Sequence, residues 1–143
     1  GALDAFRGYA SKRVRSNDFS RTSDDPDAQV VIAETASAID EMKTVLNRNF
    51  GVLMAKARAG EELDLEERLR FCFQSAQILD RCAELISRLF YSCGAQGTYR
   101  SSPLVRTFVD IHTGRTHIAN NPFKVARNYG GFMLGNPNTD TFI

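Results

Sequence analysis

Two histidines stand out among 143 residues, His112 and His117, and both fall in the run Arg106 to Pro122. An imidazole exchanges a proton near neutral pH, so His117 is the leading candidate for acid–base or hydrogen-bonding chemistry. On a continuous helix Asp110, Thr113, Gly114 and His117 would share one face. A partly exposed histidine bonded to a neighbour is the plainer reading of the same pattern. His112 is a weaker candidate, expected to cap the helix or pair with a nearby carboxylate. Arg106 and Asp110 stand four apart, where they would simply pair with each other. Upstream, Gly94-Ala95-Gln96-Gly97 reads first as a helix stop and a tight turn, and as functional only where a ligand must come close to the backbone. There is no metal-ligand spacing, nucleophile elbow, phosphate loop or carboxylate pair.

The elements that would position these residues are helical. Ala2 to about Arg15 is a short amphipathic helix, followed by a polar loop through Ser16–Ser23. Asp24-Asp25-Pro26-Asp27 opens a long helix reaching Ala59, with apolar positions at Ile32, Ala36, Ile39, Met42, Leu46, Phe50, Leu53 and Ala57. Asp64 and Glu67 form a capping box for the next helix. Its stripe is Leu65, Leu69, Cys72, Ala76, Leu79, Ala83, Ile86 and Phe90, and Gly94 stops it. Two long helices with a short connection pack antiparallel to hide their stripes. Ser102-Pro103 starts a further helix expected to run toward Asn120, where Asn121-Pro122 interrupts it. A last turn or two ends near Asn128, before Gly130-Gly131 and an irregular tail. The expectation is a single all-α domain over residues 1–143, an up-and-down four-helix bundle.

The totals narrow the partners. A formal net charge of +1 builds no basic field for nucleic acid. No apolar run is long enough to span a membrane. Cys72, Cys82 and Cys93 make an odd, unclustered set that fits neither a disulfide framework nor a zinc site, and a reducing cytoplasmic setting suits them best. Apolar stripes left over after the long helices pair favour oligomerisation.

The run Phe90 to Arg106, with its Gly94-Ala95-Gln96-Gly97-Thr98-Tyr99 turn, followed by Asp110-Ile111-His112 and His117, resembles the C-terminal helical domain of the acyl-CoA dehydrogenase superfamily. More narrowly it is similar to the reduced-flavin-dependent oxygenase components of two-component aromatic hydroxylases. The resemblance implies a four-helix bundle that closes a longer flavoenzyme subunit and takes part in tetramer packing. It further implies reduced FMN or FAD delivered by a separate flavin reductase, O2 as co-substrate, and an aromatic or related small-molecule substrate. Gly94, Ala95, Gln96 and Gly97 would help hold the flavin of an adjoining subunit, near its isoalloxazine or its phosphate-bearing chain. Dehydrogenases of the common type carry Arg-Asp in this helix and a catalytic Glu about two turns later. Here Val109-Asp110 stands in the first place, and His117-Ile118 in the second, so the carboxylate base is missing. His117 matches the histidine of the hydroxylase branch, expected to polarise or deprotonate the substrate, or to donate to the oxygen that the flavin activates. Asn120 and Asn121 are second-rank candidates for the substrate pocket. Alternatives are a dehydrogenase, nitroalkane oxidase or N-oxygenase of the same superfamily, or a non-catalytic helical oligomerisation module.

Overall fold

The structure is a computed structural model that describes residues 1–140. Among the described residues there are five helices and no strand, so the all-α expectation holds. Helix α1 is Ala2–Ala10, α2 Pro26–Ala59, α3 Leu65–Ser92, α4 Pro103–Arg115 and α5 Pro122–Met133, with 3-10 turns at Thr22–Asp24, Gly94–Thr98 and Ile118–Asn120. The capping box forms as the sequence predicts: Glu67 N donates to Asp64 Oδ1 at 2.7 Å, and Asp64 N to Glu67 Oε2 at 3.3 Å. Gly60 and Gly94 take the left-handed φ values of +72° and +58° that end α2 and α3.

Several boundaries differ from the sequence reading. Helix α1 ends five residues early, because the chain after Ala10 turns back on itself through an isolated bridge between Val14 and Arg21. The polar stretch is therefore hydrogen-bonded, with Thr22 N donating to Arg13 O at 2.9 Å. At its tip Phe19 has φ 57° and is largely exposed. Helix α5 runs on through Gly130 and Gly131 to Met133, since tertiary contacts outweigh the weak helix propensity of glycine.

The chain forms two compact units, and α2 and α3 each contribute to both. The first comprises Gly1–Asp40 and Arg81–Thr113. Its core is Phe6 and Ala10 of α1, Ala28 of α2, Ile86 and Leu89 of α3, then Cys93 and Leu104. Burying a side chain such as Phe6 contributes about 1.5–3 kcal/mol. The Tyr9 hydroxyl donates to Cys93 O at 2.9 Å, tying α1 to the end of α3.

The second unit comprises Glu41–Asp80 and the described residues from Gly114 onward. Met42, Leu69, Phe71 and Ala76 are buried in it, together with Asn49, whose amide donates to Gln74 Oε1 at 2.9 Å. Gly114 lies against Leu79, and Arg115 pairs with Asp80.

The α3 stripe is borne out at Leu69, Ala76, Ala83 and Ile86, all buried. The α2 stripe is only partly so. Its buried positions are Ala28, Thr35, Met42 and Asn49, one every two turns, two of them polar and outside the apolar tally. Phe50 and Leu53 are instead exposed. They line an open apolar groove of about 390 Å3 with Leu46, Leu63 and Phe71.

Candidate functional site

The sequence candidates fall in two places, one in each unit. Gly94, Ala95, Gln96 and Gly97 come together in the 3-10 turn that follows α3. Gly94 needs its left-handed φ, and a Cβ added there meets nothing within 4 Å. Gly97 is constrained differently. A Cβ there would sit 3.0 Å from Phe90 O and 3.2 Å from Cys93 Cβ, so the turn folds tightly onto α3 only because position 97 has no side chain. A cavity of about 210 Å3 opens beside the turn, lined among others by Ala5, Tyr9, Gln96, Gly97 and Tyr99.

His112 belongs to the same unit and is held structurally. Its Nε2 lies 3.1 Å from Ser87 Oγ, and its ring sits 4.3 Å from that of Phe108. Ser87 Oγ itself donates to Ala83 O at 2.6 Å, so His112 Nε2 is the donor to the serine oxygen. The partner is a hydroxyl, not the carboxylate that the sequence suggests. Ser87 and His112 therefore do not form a nucleophile–base pair, because the serine proton is committed to a helix carbonyl. Arg106 and Asp110 do pair, at 3.6 Å on an exposed face.

His117, Asn120 and Asn121 lie in the second unit. Helix α4 stops at Arg115, so His117 does not continue the face of Asp110 and Thr113 that helical spacing suggests. Gly114 and the β-branched Thr113 and Thr116 weaken the final turn. His117 then supplies an alternative acceptor: at φ −67° and ψ 136° it caps the turn Ile118–Asn120, its Nδ1 accepting from Ala119 N at 3.2 Å. The ring is otherwise exposed. Asn120 Nδ2 donates to Gly114 O at 2.8 Å and satisfies the C-terminal end of α4. Asn121 Oδ1 accepts from Phe123 N and Lys124 N at 3.1 and 3.4 Å, capping α5 ahead of Pro122. All three side chains thus shape the connection from α4 to α5, each with one polar edge left over.

Around this connection lie two cavities. One of about 490 Å3 is lined by Ile118, Ala119, Val125, Cys72 and the Lys124–Asp140 ion pair. The other, about 500 Å3, takes in Asn121, Phe123, Arg127 and the returning tail at Asn136–Pro137. Asn128, nearly buried, borders both. Its Nδ2 donates to Asn138 Oδ1 at 2.7 Å, and its Oδ1 accepts from Thr139 N and Thr139 Oγ1 at 3.0 and 3.2 Å. Sequence reasoning passed over this anchor. The Asn136-Pro137-Asn138-Thr139-Asp140 run, dense in turn-forming residues, was the available signal that the tail bends back.

Burial pushes the thiols of Cys72 and Cys82 up, and that of Cys93 up to about 11. All three cysteines are free thiols. Of the three, Cys93 is buried, and a buried, protonated thiol is a poor nucleophile. Among the described residues no cluster of His, Cys, Asp and Glu could hold a metal ion, and no helix is long and apolar enough to cross a membrane.

Residues 1–122 match the family described as acyl-CoA dehydrogenase, C-terminal domain. The oxygenase subunit HsaA of a flavin-dependent monooxygenase from Rhodococcus jostii (strain RHA1) is 38% identical over the whole of this chain and 38% of its own length. HsaA of Mycobacterium tuberculosis (strain CDC 1551 / Oshkosh) is 35% identical, again over the whole chain and 36% of that protein. The crystal structure of 3-HSA hydroxylase from Rhodococcus sp. RHA1 superposes with a TM-score of 0.90 at 38% identity, over 99% of this chain and 37% of the other. XiaF from Streptomyces sp., solved with FADH2 and glycerol, superposes at 0.91 with 22% identity, over 99% and 36%, and so shares the fold. The chain therefore spans well under half the length of the relatives it matches.

Proposed function

The chain belongs to the family of acyl-CoA dehydrogenase C-terminal domains, and from that premise we propose that it is the C-terminal part of a flavin-dependent monooxygenase. The observation that carries this reading is 38% identity along the entire chain to the oxygenase subunit of such an enzyme. The sequence adds a chemical reason. By the resemblance to the superfamily, the place of the carboxylate base that thioester dehydrogenation requires falls here at His117-Ile118.

In this reading the enzyme hydroxylates an aromatic or related small molecule with reduced FMN or FAD and O2, and a separate reductase supplies the reduced flavin. When bound, the flavin supplies the electrons that activate O2. The residues that would hold its edge are Gly94, Ala95, Gln96 and Gly97, where the missing side chains leave the backbone accessible at Gly94. His117 would face the substrate, with Asn120 and Asn121 bordering the same pocket through the amide atoms their capping bonds leave unused. The free thiols support a cytoplasmic setting.

A homo-oligomer, as a tetramer, completes the proposal. The exposed Phe50, Leu53 and Met54 of α2 support it, since an apolar face of this kind calls for cover. By itself the chain holds only part of a flavin site and should show negligible turnover.

The test is His117→Ala in the reductase-supplied oxygenase. Hydroxylation should fall about 100-fold or more with flavin affinity retained. Unchanged turnover would remove His117 from the reaction. A preference for oxidised flavin and a thioester, nitroalkane or amine substrate would move the enzyme to another branch of the superfamily.

A further inference from the structure

The capping bond at His117 fixes more than a turn. A neutral imidazole has one nitrogen that bears hydrogen and one that accepts. Here Nδ1 accepts from Ala119 N at 3.2 Å, so the proton of the neutral ring resides on Nε2. The backbone on either side is tied as well. His117 N donates to Gly114 O at 3.3 Å, Asn120 N donates to His117 O at 2.9 Å, and Asn120 Nδ2 shares the Gly114 carbonyl at 2.8 Å. Ring position, ring orientation and tautomer are thus set together by one short connection, and Nε2–H is the polar edge left free.

We infer that His117 works as a hydrogen-bond donor through Nε2–H to an oxygen acceptor, and not as a base that removes a proton. A base acting at Nε2 would need the other tautomer. That form turns Nδ1–H toward Ala119 N–H, sets two donors face to face and breaks the cap. The donor form costs the fold nothing and presents the same hydrogen at the start and end of each turnover, as a preorganised site requires. Two acceptors fit this chemistry: an oxygen of the substrate, or the oxygen activated at the flavin. The inference rests on the proposal that His117 serves the reaction at all.

Two measurements test it. The first needs no turnover: side-chain 15N shifts of His117 in this chain, assigned with His117→Ala. The neutral ring should carry an unprotonated Nδ1 and a hydrogen-bearing Nε2, and the Ala119 amide should exchange slowly. A predominant Nδ1–H form overturns the inference.

The second compares His117→Gln with His117→Ala in the reductase-supplied oxygenase. A glutamine amide reaches the region of Nε2 and donates, but it cannot take up a proton at neutral pH. His117→Gln should stay within about 10-fold of the unaltered enzyme, whereas His117→Ala should lose about 100-fold or more. A rise in KM assigns the acceptor to the substrate, and a fall in kcat at constant KM assigns it to the oxygen at the flavin. A glutamine variant as impaired as alanine overturns the donor assignment alone. An alanine variant with full activity overturns the underlying functional reading instead.

Discussion

Replacing Asn128 with alanine should release the tail from α5 without unfolding the chain. The side chain is 8% exposed and holds three hydrogen bonds, to Asn138 Oδ1, Thr139 N and Thr139 Oγ1. Truncation deletes all three. Thr139 is exposed, so its freed donors turn to water, and Asn138 Oδ1 still accepts from Asp140 N at 3.0 Å. The net loss is therefore below the full cost of three orphaned buried groups, at about 1–3 kcal/mol in total. The tail-opening equilibrium should then rise about 5- to 150-fold. The Lys124–Asp140 pair, with Lys124 half exposed and Asp140 largely buried, stays in place and keeps part of the attachment. Native-state hydrogen exchange at the Thr139 amide reads this directly, because Asn128 Oδ1 is the acceptor that protects it. Exchange at Thr139 should accelerate by that factor, while amides in the middle of α3 stay unchanged. Equal Thr139 protection in both proteins would refute the claim that Asn128 anchors the tail.

The two turn glycines should separate in mutagenesis. Gly97→Ala forces a Cβ against Phe90 O and Cys93 Cβ and should cost about 1–3 kcal/mol through steric strain. Gly94→Ala meets open space but must hold φ +58°, at about 1–2 kcal/mol. Thermal melts should show Gly97→Leu losing more than Gly97→Ala, while Gly94→Leu costs about the same as Gly94→Ala; equal costs at position 97 would undo the packing account. Cys93 makes an alkaline prediction. Its folded thiol, pushed up to about 11 by burial, stays protonated where the unfolded thiol, at 9.0, has ionised. The folded state then binds more protons, so stability falls as pH climbs from 9.0 toward about 11. Cys93→Ser should flatten that fall in denaturant titrations, and an unchanged slope would mean that other groups carry it.

Much of the chain's architecture is written locally. The Asp64–Glu67 box, the left-handed Gly60 and Gly94, Asn121 before Pro122, and the seven- and three-residue steps of Leu69, Ala76, Ala83 and Ile86 each follow from short-range backbone chemistry or helical period. The family was also legible, because the turn after α3 and the run to His117 form a contiguous pattern. Three other features needed the tertiary structure. Periodicity marks which α2 residues are apolar but not which are covered, so Phe50 and Leu53 belong to the stripe yet lie open, while Thr35 and Asn49, polar and outside it, are buried. The end of α4 was a contest between a weak helical turn and a side-chain acceptor. The winner moved His117 off the expected face and set which nitrogen keeps its proton. The Asn128 clamp joins residues ten and eleven apart across a reversal of the chain, and no helical or strand period encodes such a pairing. These helices are legible in the sequence because their hydrogen bonds close within four residues; the polar edges at the site depend on which distant groups fold back to meet them.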